Sequence, residues 1–418
     1  MRRLISVLLT ALLAVAPLPA QQGVRPAKRE YGVSITRLQN LTAALDDYVA
    51  KGALVGGVLR VERHGQMMYQ HAFGMRDRKL NDAMRPDAVF RVASQSKALV
   101  SVGIMMLQEE GKLLINQPLS RYLPEWQKTT VAVPRTGGGY DIVPAKRQIT
   151  IRDLLTHTAG IGYGGGPAAD KWKEAGIQGW YFADRNETVA EVVKRMAALP
   201  MDAQPGERFV YGYNTDILGA VIEKVSGQTL ADFLKARLFG PLQMTSTSFY
   251  LDPANRGRLA TVYTSVNGRL EPSPTPGAMT GQGAYVDGPR IAFSGGAGVL
   301  STASDYARFL EMMLKGGELH GVRILSPSSV ALMTTNHVGT LYGNDGFGLG
   351  FSIKQSLGNS GLPGSVGEFG WGGAYHSTYW VDPQEDLVVV YFTQLNDTGG
   401  VDDHAKIRAL VYAALTGK

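Results

Sequence analysis

Ser94 and Lys97 stand three residues apart in the stretch Phe90-Arg91-Val92-Ala93-Ser94-Gln95-Ser96-Lys97, the pairing with the clearest chemical use in this 418-residue chain. On a helix, that spacing puts both side chains on one face within reach of each other. A serine hydroxyl is a poor nucleophile at neutral pH until a base takes its proton, and a lysine desolvated by apolar neighbours can serve as that base. A serine at a helix N-terminus would also have backbone N–H groups and the positive dipole end beside a developing oxyanion. The same residues are compatible with an N-cap serine followed by a solvated lysine. The run that follows, with Ala98, Leu99, Val102, Ile104, Met105, Met106 and Leu107, is apolar almost all round and argues against solvation of Lys97.

Composition narrows the alternatives. With 44% hydrophobic residues and 51 glycines in no Gly-x-y period, the chain reads as an ordinary globular protein with many turns. It has no cysteine, which removes disulfides, thiolate nucleophiles and Cys-ligated metals. The seven histidines are scattered, with no His-Glu-x-x-His, so neither a metal nor a cofactor is expected. The Gly-x-Ser-x-Gly elbow of α/β-hydrolases is missing too. A formal charge of +6 without a Lys/Arg cluster gives no reason to expect nucleic acid as a partner. Residues 1–20 combine Arg2-Arg3, an apolar stretch over 4–16 and Leu18-Pro19-Ala20. They read as a signal peptide cleaved near Ala20, giving an exported, periplasmic or secreted protein with no stable membrane anchor.

The elements that must position the pair follow from periodicity. A helix over 41–50 leads to a strand at 56–63, a turn at His64-Gly65 and a returning strand at 67–73. A buried helix is expected over 94–108. Further helices are expected at 151–157, 189–199, 215–225 and 230–238, set among loops such as Gly137-Gly138-Gly139 and Gly164-Gly165-Gly166. Strand patterns return at 348–354, 367–371, 375–381 and 387–392, and a last helix carries Ile407, Leu410, Val411 and Leu415. The simplest architecture is an α+β sandwich, its antiparallel sheet built from both chain ends and flanked by helices. The sheet domain takes 21–122 and 291–418, and 123–290 forms a helical, loop-rich cap over a cleft.

Three motifs in order extend the Ser94 stretch: Phe90-Arg91-Val92-Ala93-Ser94-x-x-Lys97, then Pro205-Gly206-Glu207-Arg208-Phe209-Val210-Tyr211 with Thr215-Asp216-Ile217-Leu218-Gly219, then Gly370-Trp371-Gly372-Gly373-Ala374 with Trp380-Val381-Asp382-Pro383. With Leu154-Leu155-Thr156-His157-Thr158-Ala159-Gly160 and Gly295-Gly296-Ala297-Gly298, the mature chain resembles the serine β-lactamase and penicillin-binding superfamily. It resembles most the class C branch that includes family VIII carboxylesterases. The resemblance implies that Ser94 is the nucleophile, that Lys97 and Tyr211 share acid and base duties, and that the N–H groups of Ser94 and Ala374 form the oxyanion hole. Gly372 and Gly373 would let the backbone approach a substrate closely. Trp371 stands where β-lactamases and peptidases present Lys or His, and Tyr213 where many β-lactamases place Asn, so a neutral ester is favoured over a penicillin or D-alanyl peptide. Trp371 and Tyr213 would then be apolar walls, with Gln95 and His376 also lining the cleft, and His157 structuring a loop. The expected substrate is thus a small-molecule ester; a β-lactam or peptide amide on the same residues, and a non-catalytic sensor of the same fold, are the rivals.

Overall fold

The computed structural model describes residues 32–397 and 399–417, so the expected signal peptide lies outside the described residues. The hairpin near the start of the chain forms as its alternation requires: helix α1 (Ile35–Ala50) precedes strands β1 (Gly56–Arg63) and β2 (Gln66–Asp77), joined through His64 and Gly65, both at positive φ. A short β3 (Asp82–Ala83) follows. Helix α2 (Ser96–Glu109) comes next, then α3 (Asn214–Ser226) and α4 (Ala303–Leu314). The other strands of the main sheet are β4 (Gly346–Phe347), β5 (Ser352–Ile353), β6 (Phe369–Gly373), β7 (Ser377–Asp382) and β8 (Leu387–Thr393), before the closing helix α5 (Asp403–Ala414).

These eight strands make one antiparallel sheet in the order β4-β5-β6-β7-β8-β1-β2-β3. Strand β8 pairs with β1, Leu59 opposite Tyr391, so the two ends of the chain are zipped together at the centre. Every residue of β8 is buried because the sheet is covered on both faces. Leu387, Val389 and Tyr391 pack with Leu38, Leu41 and Leu45 of α1 and Ile407 and Val411 of α5. The alternate residues Val388, Val390 and Phe392 join the core that contains Tyr306, Phe309 and Leu310 of α4 and most of α2. The sandwich with a helical subdomain is the architecture expected from the sequence.

Two local departures matter for the site. The helix expected from residue 94 begins instead as a 3-10 turn, Ala93–Gln95, that passes into α2 at Ser96. The glycine-rich stretch at 137–139 is the tip of a hairpin formed by Thr130–Pro134 and Tyr140–Pro144, short strands whose half-exposed faces give little periodic signal.

Candidate active site

Ser94 occupies the middle of the 3-10 turn, half-buried, and its side chain does not cap α2. The N-cap alternative therefore does not describe it. Ala93 just before it has φ 44°, a left-handed conformation that costs a non-glycine residue on the order of 1 kcal/mol. The turn is held nonetheless, because Ala93 is sealed against Val262 and Tyr375.

Lys97 is only 2% exposed, at the start of a helix buried on all sides. Its Nζ donates to Ser94 Oγ at 3.3 Å, to Tyr163 Oη at 3.1 Å and to the Gly296 carbonyl at 2.7 Å. The last acceptor is itself built. Asp216, buried near the start of α3, accepts from Gly296 N at 3.0 Å and Ser294 Oγ at 2.6 Å. A Cβ on Gly296 would stand 2.4 Å from Asp216 Oδ2, so any side chain there would have to displace that carboxyl group. Burial pushes the Asp216 carboxyl up, against the pull of Ser294 and the Lys97 charge.

Tyr211 meets Lys97 differently from Tyr163. The Lys97 ammonium sits 4.5 Å from the centre of the Tyr211 ring, a cation–π contact, while the Tyr211 hydroxyl accepts from Trp371 Nε1 at 3.1 Å. An oxygen that accepts from Trp371 keeps its own O–H free to donate elsewhere. His157 packs against Tyr211 with ring centres 4.8 Å apart, and its Nδ1 is 3.0 Å from Asn214 Nδ2. Burial and the Lys97 charge hold His157 well below the ordinary histidine value, so it is a neutral packing partner.

A cavity of about 590 Å³ opens onto these groups, lined by Ser94, Tyr211, Trp371, Gly372, Gly373 and His376, with Lys354, Glu368, His404 and Arg408 further along. The sequence-nominated residues Ser94, Tyr211, Trp371, Gly372, Gly373 and His376 thus meet in one cleft. A Cβ on Gly373 would lie 2.6 Å from the Val92 carbonyl, so the end of β6 runs against the backbone that leads into Ser94. Ala374 follows, exposed in the loop between β6 and β7.

Two nominated residues are elsewhere. Tyr213 is 0% exposed; its hydroxyl donates to the Gly179 carbonyl at 2.6 Å and its ring stacks on Trp172. It precedes α3 directly, and the helix start turns it inward, so it is core and not a cleft wall. Gln95 is also 0% exposed, with neither side-chain amide atom hydrogen-bonded. The residue that sequence reasoning missed is Tyr163. It follows the His157-to-Gly160 motif by three residues, inside a glycine-rich loop whose path has no periodic signature. Burial, then the neighbouring Tyr211 and Asp216, raise its phenol well above the ordinary value.

His376, Asp403 and His404 each offer a ligand atom within 4.8 Å of the others. The two imidazoles stack nearly parallel, 4.0 Å apart at 18°, so their in-plane lone pairs cannot converge on one ion unless a ring turns.

The family model described as Beta-lactamase matches residues 41–414. Among curated proteins, Protein Rv1367c of Mycobacterium tuberculosis is 32% identical over 373 residues, covering 84% of this chain and 88% of its own. Esterase EstB of Burkholderia gladioli is 32% identical over 374 residues, covering 84% of this chain and 89% of its own. Among solved structures, EstCE1, described as a hydrolase with promiscuous acyltransferase activity, superposes with a TM-score of 0.77 at 28% identity, covering 91% of this chain and all of that one.

Proposed function

This chain belongs to the Beta-lactamase family, and from that premise we propose that it is an exported carboxylesterase of the family VIII kind, working through an acyl-serine. The observation that carries the reading is the Lys97 Nζ hydrogen bond to Ser94 Oγ at the floor of a cleft walled by Trp371. In this reading Ser94 Oγ attacks the ester carbonyl carbon, and its proton passes to the Lys97–Tyr211 pair. The tetrahedral oxyanion accepts from the N–H groups of Ser94 and Ala374. Collapse breaks the carbonyl–alkoxy bond, and the same pair returns the proton to the departing alcohol. Water then repeats the sequence on the acyl-enzyme and releases the acid. EstB is named an esterase and EstCE1 a hydrolase, which supports this choice of reaction.

Ester over amide rests on charge. The Trp371 N–H is engaged by Tyr211, and Arg408 pairs with Glu368, so neither is a free partner for a substrate carboxylate. A β-lactam or D-amino-acid peptide reading draws on Lys354, which lines the same cleft and whose ammonium donates, among the described residues, to Ser360 Oγ at 3.2 Å. Rates on p-nitrophenyl butyrate and nitrocefin, each against Ser94→Ala, decide between them. The expected result is ester turnover that Ser94→Ala abolishes; nitrocefin turnover well above it would reverse the assignment. Export rests on residues 1–20 alone, and N-terminal sequencing of protein from the culture medium or periplasm should begin near Gln21. Among the described residues, no helix is long and apolar enough to cross a membrane.

A further inference from the structure

The loop between β6 and β7 has three residues, Ala374, Tyr375 and His376, and closes with His376 at φ 57°. Three-residue hairpin loops end on a left-handed residue, and glycine is the one that adopts it without steric cost. Histidine there costs on the order of 1 kcal/mol, a strain that contacts of its side chain can offset.

The imidazole is clamped from below. His376 Nε2 lies 2.8 and 3.0 Å from the two carboxylate oxygens of Asp403, which is 0% exposed in the first turn of α5. Tyr391 of β8 donates its hydroxyl to the same carboxylate at 2.7 Å. Burial would raise the Asp403 carboxyl, but the bond and charge of His376 and the Tyr391 hydroxyl together hold it below the usual carboxylate range. His404 stacks on the other face of the ring, and its Nε2 stands 3.3 Å from the His376 carbonyl. Thr393 Oγ1 donates to the His376 carbonyl at 2.6 Å and lies 3.1 Å from the Tyr375 carbonyl, which accepts from Leu395 N at 3.1 Å. The loop is therefore tied down at its last two residues. Ala374, at its other end, is exposed, and its N–H finds no acceptor among the described residues.

We propose that His376 is a positioning residue: the Asp403 carboxylate fixes its imidazole, and the imidazole fixes the loop that presents the Ala374 N–H beside Ser94. The role rests on the esterase reading above, and the experiment separates the two. Wild type, His376→Gly, His376→Gln and Asp403→Asn are compared by melting temperature, by kcat and KM on p-nitrophenyl butyrate, and by the rate of Ser94 labelling with a fluorophosphonate. Glycine suits φ 57°, so His376→Gly should melt no lower than a few degrees below wild type. Its kcat should fall about 10- to 100-fold, part of the 10²–10³ lost when an oxyanion donor is removed, with KM within about twofold. Labelling should slow in parallel. Glutamine can place an amide N–H near the position of Nε2, and His376→Gln should recover most of the loss, whereas Asp403→Asn should reproduce it. Wild-type kcat and labelling in His376→Gly would overturn the positioning role alone, as would losses that track melting temperature across all variants. A wild type that neither turns over the ester nor is labelled at Ser94 would overturn both readings.

Discussion

Replacing Trp371 by phenylalanine removes one hydrogen bond from the centre of the site and leaves an aromatic ring in place. The indole N–H donates to the Tyr211 oxygen at 3.1 Å, and its rings pack on Tyr211 at 5.5 Å and Phe347 at 5.2 Å between centres. Two magnitudes follow from what the phenol oxygen does during acylation. If it stays neutral, the lost bond is an ordinary one of about 0.5–1.5 kcal/mol, and kcat should fall roughly 2- to 13-fold. If it carries negative charge in the transition state, a bond of about 1.5–3 kcal/mol is lost, and kcat should fall roughly 13- to 160-fold. The size of the drop thus reports which member of the Lys97–Tyr211 pair holds the proton. Steady-state kinetics on p-nitrophenyl butyrate with a parallel melt separate this from packing, because the smaller ring lowers stability without singling out kcat. A variant with unchanged kcat, or with only KM altered, would refute the idea that the Tyr211 oxygen takes part in proton transfer.

Tyr163→Phe deletes one of the three acceptors of Lys97 and nothing else, so kcat should fall about 5- to 100-fold with the melting temperature nearly unchanged; equal kcat would mean that Tyr163 only fills space. Gly296→Ala puts a methyl 2.4 Å from the buried Asp216 carboxylate and should cost about 1–3 kcal/mol of stability as well as activity, both read from one preparation by denaturant melts and ester turnover. Asp153 accepts from Arg147 Nη1 and Nη2 at 2.6 and 2.8 Å and caps the helix Ile151–Leu155. Burial raises its pKa, but the Arg147 and Thr150 bonds outweigh that and leave it below the ordinary value. A depressed carboxyl contributes stability above its unfolded pKa of about 3.9 and loses it as pH falls through the folded value, so Asp153→Asn should melt lower than wild type at pH 7, with the difference shrinking as pH drops below about 3.9.

How far the sequence reaches depends on how local the controlling physics is. The run Leu387–Thr393 announces a central strand, because a sheet buried on both faces needs no polar alternation. The apolar run behind Lys97 likewise announces a helix with no wet side, and the lysine in it is indeed buried. Tyr213 misleads for the opposite reason. Nothing at positions 211 and 213 says which aromatic faces the cleft; that is fixed by where α3 starts and by Trp172, 41 residues upstream of Tyr213 in the chain. Tyr163 is hidden because a glycine-rich loop carries no period, and only tertiary closure brings its hydroxyl to Lys97.

The three acceptors of Lys97 are the nearby Ser94 and the remote Tyr163 and Gly296, and their arrangement bears on chemistry as much as on stability. A lysine head on four methylenes carries about 2 kcal/mol of rotamer entropy, so a base of this kind is effective only where its position is fixed. An ammonium here satisfies all three of its N–H groups, on Ser94 Oγ, Tyr163 Oη and the Gly296 carbonyl. A neutral amine has two N–H groups and one lone pair. The Gly296 carbonyl can only accept, and it is anchored through Asp216, so one N–H stays there. If Tyr163 Oη takes the other, the lone pair is left facing the Ser94 hydroxyl, which is the orientation that proton abstraction needs. On the proposed esterase reading, a neutral Lys97 would thus be aimed at the Ser94 hydroxyl by the placement of the Gly296 carbonyl and Tyr163 Oη.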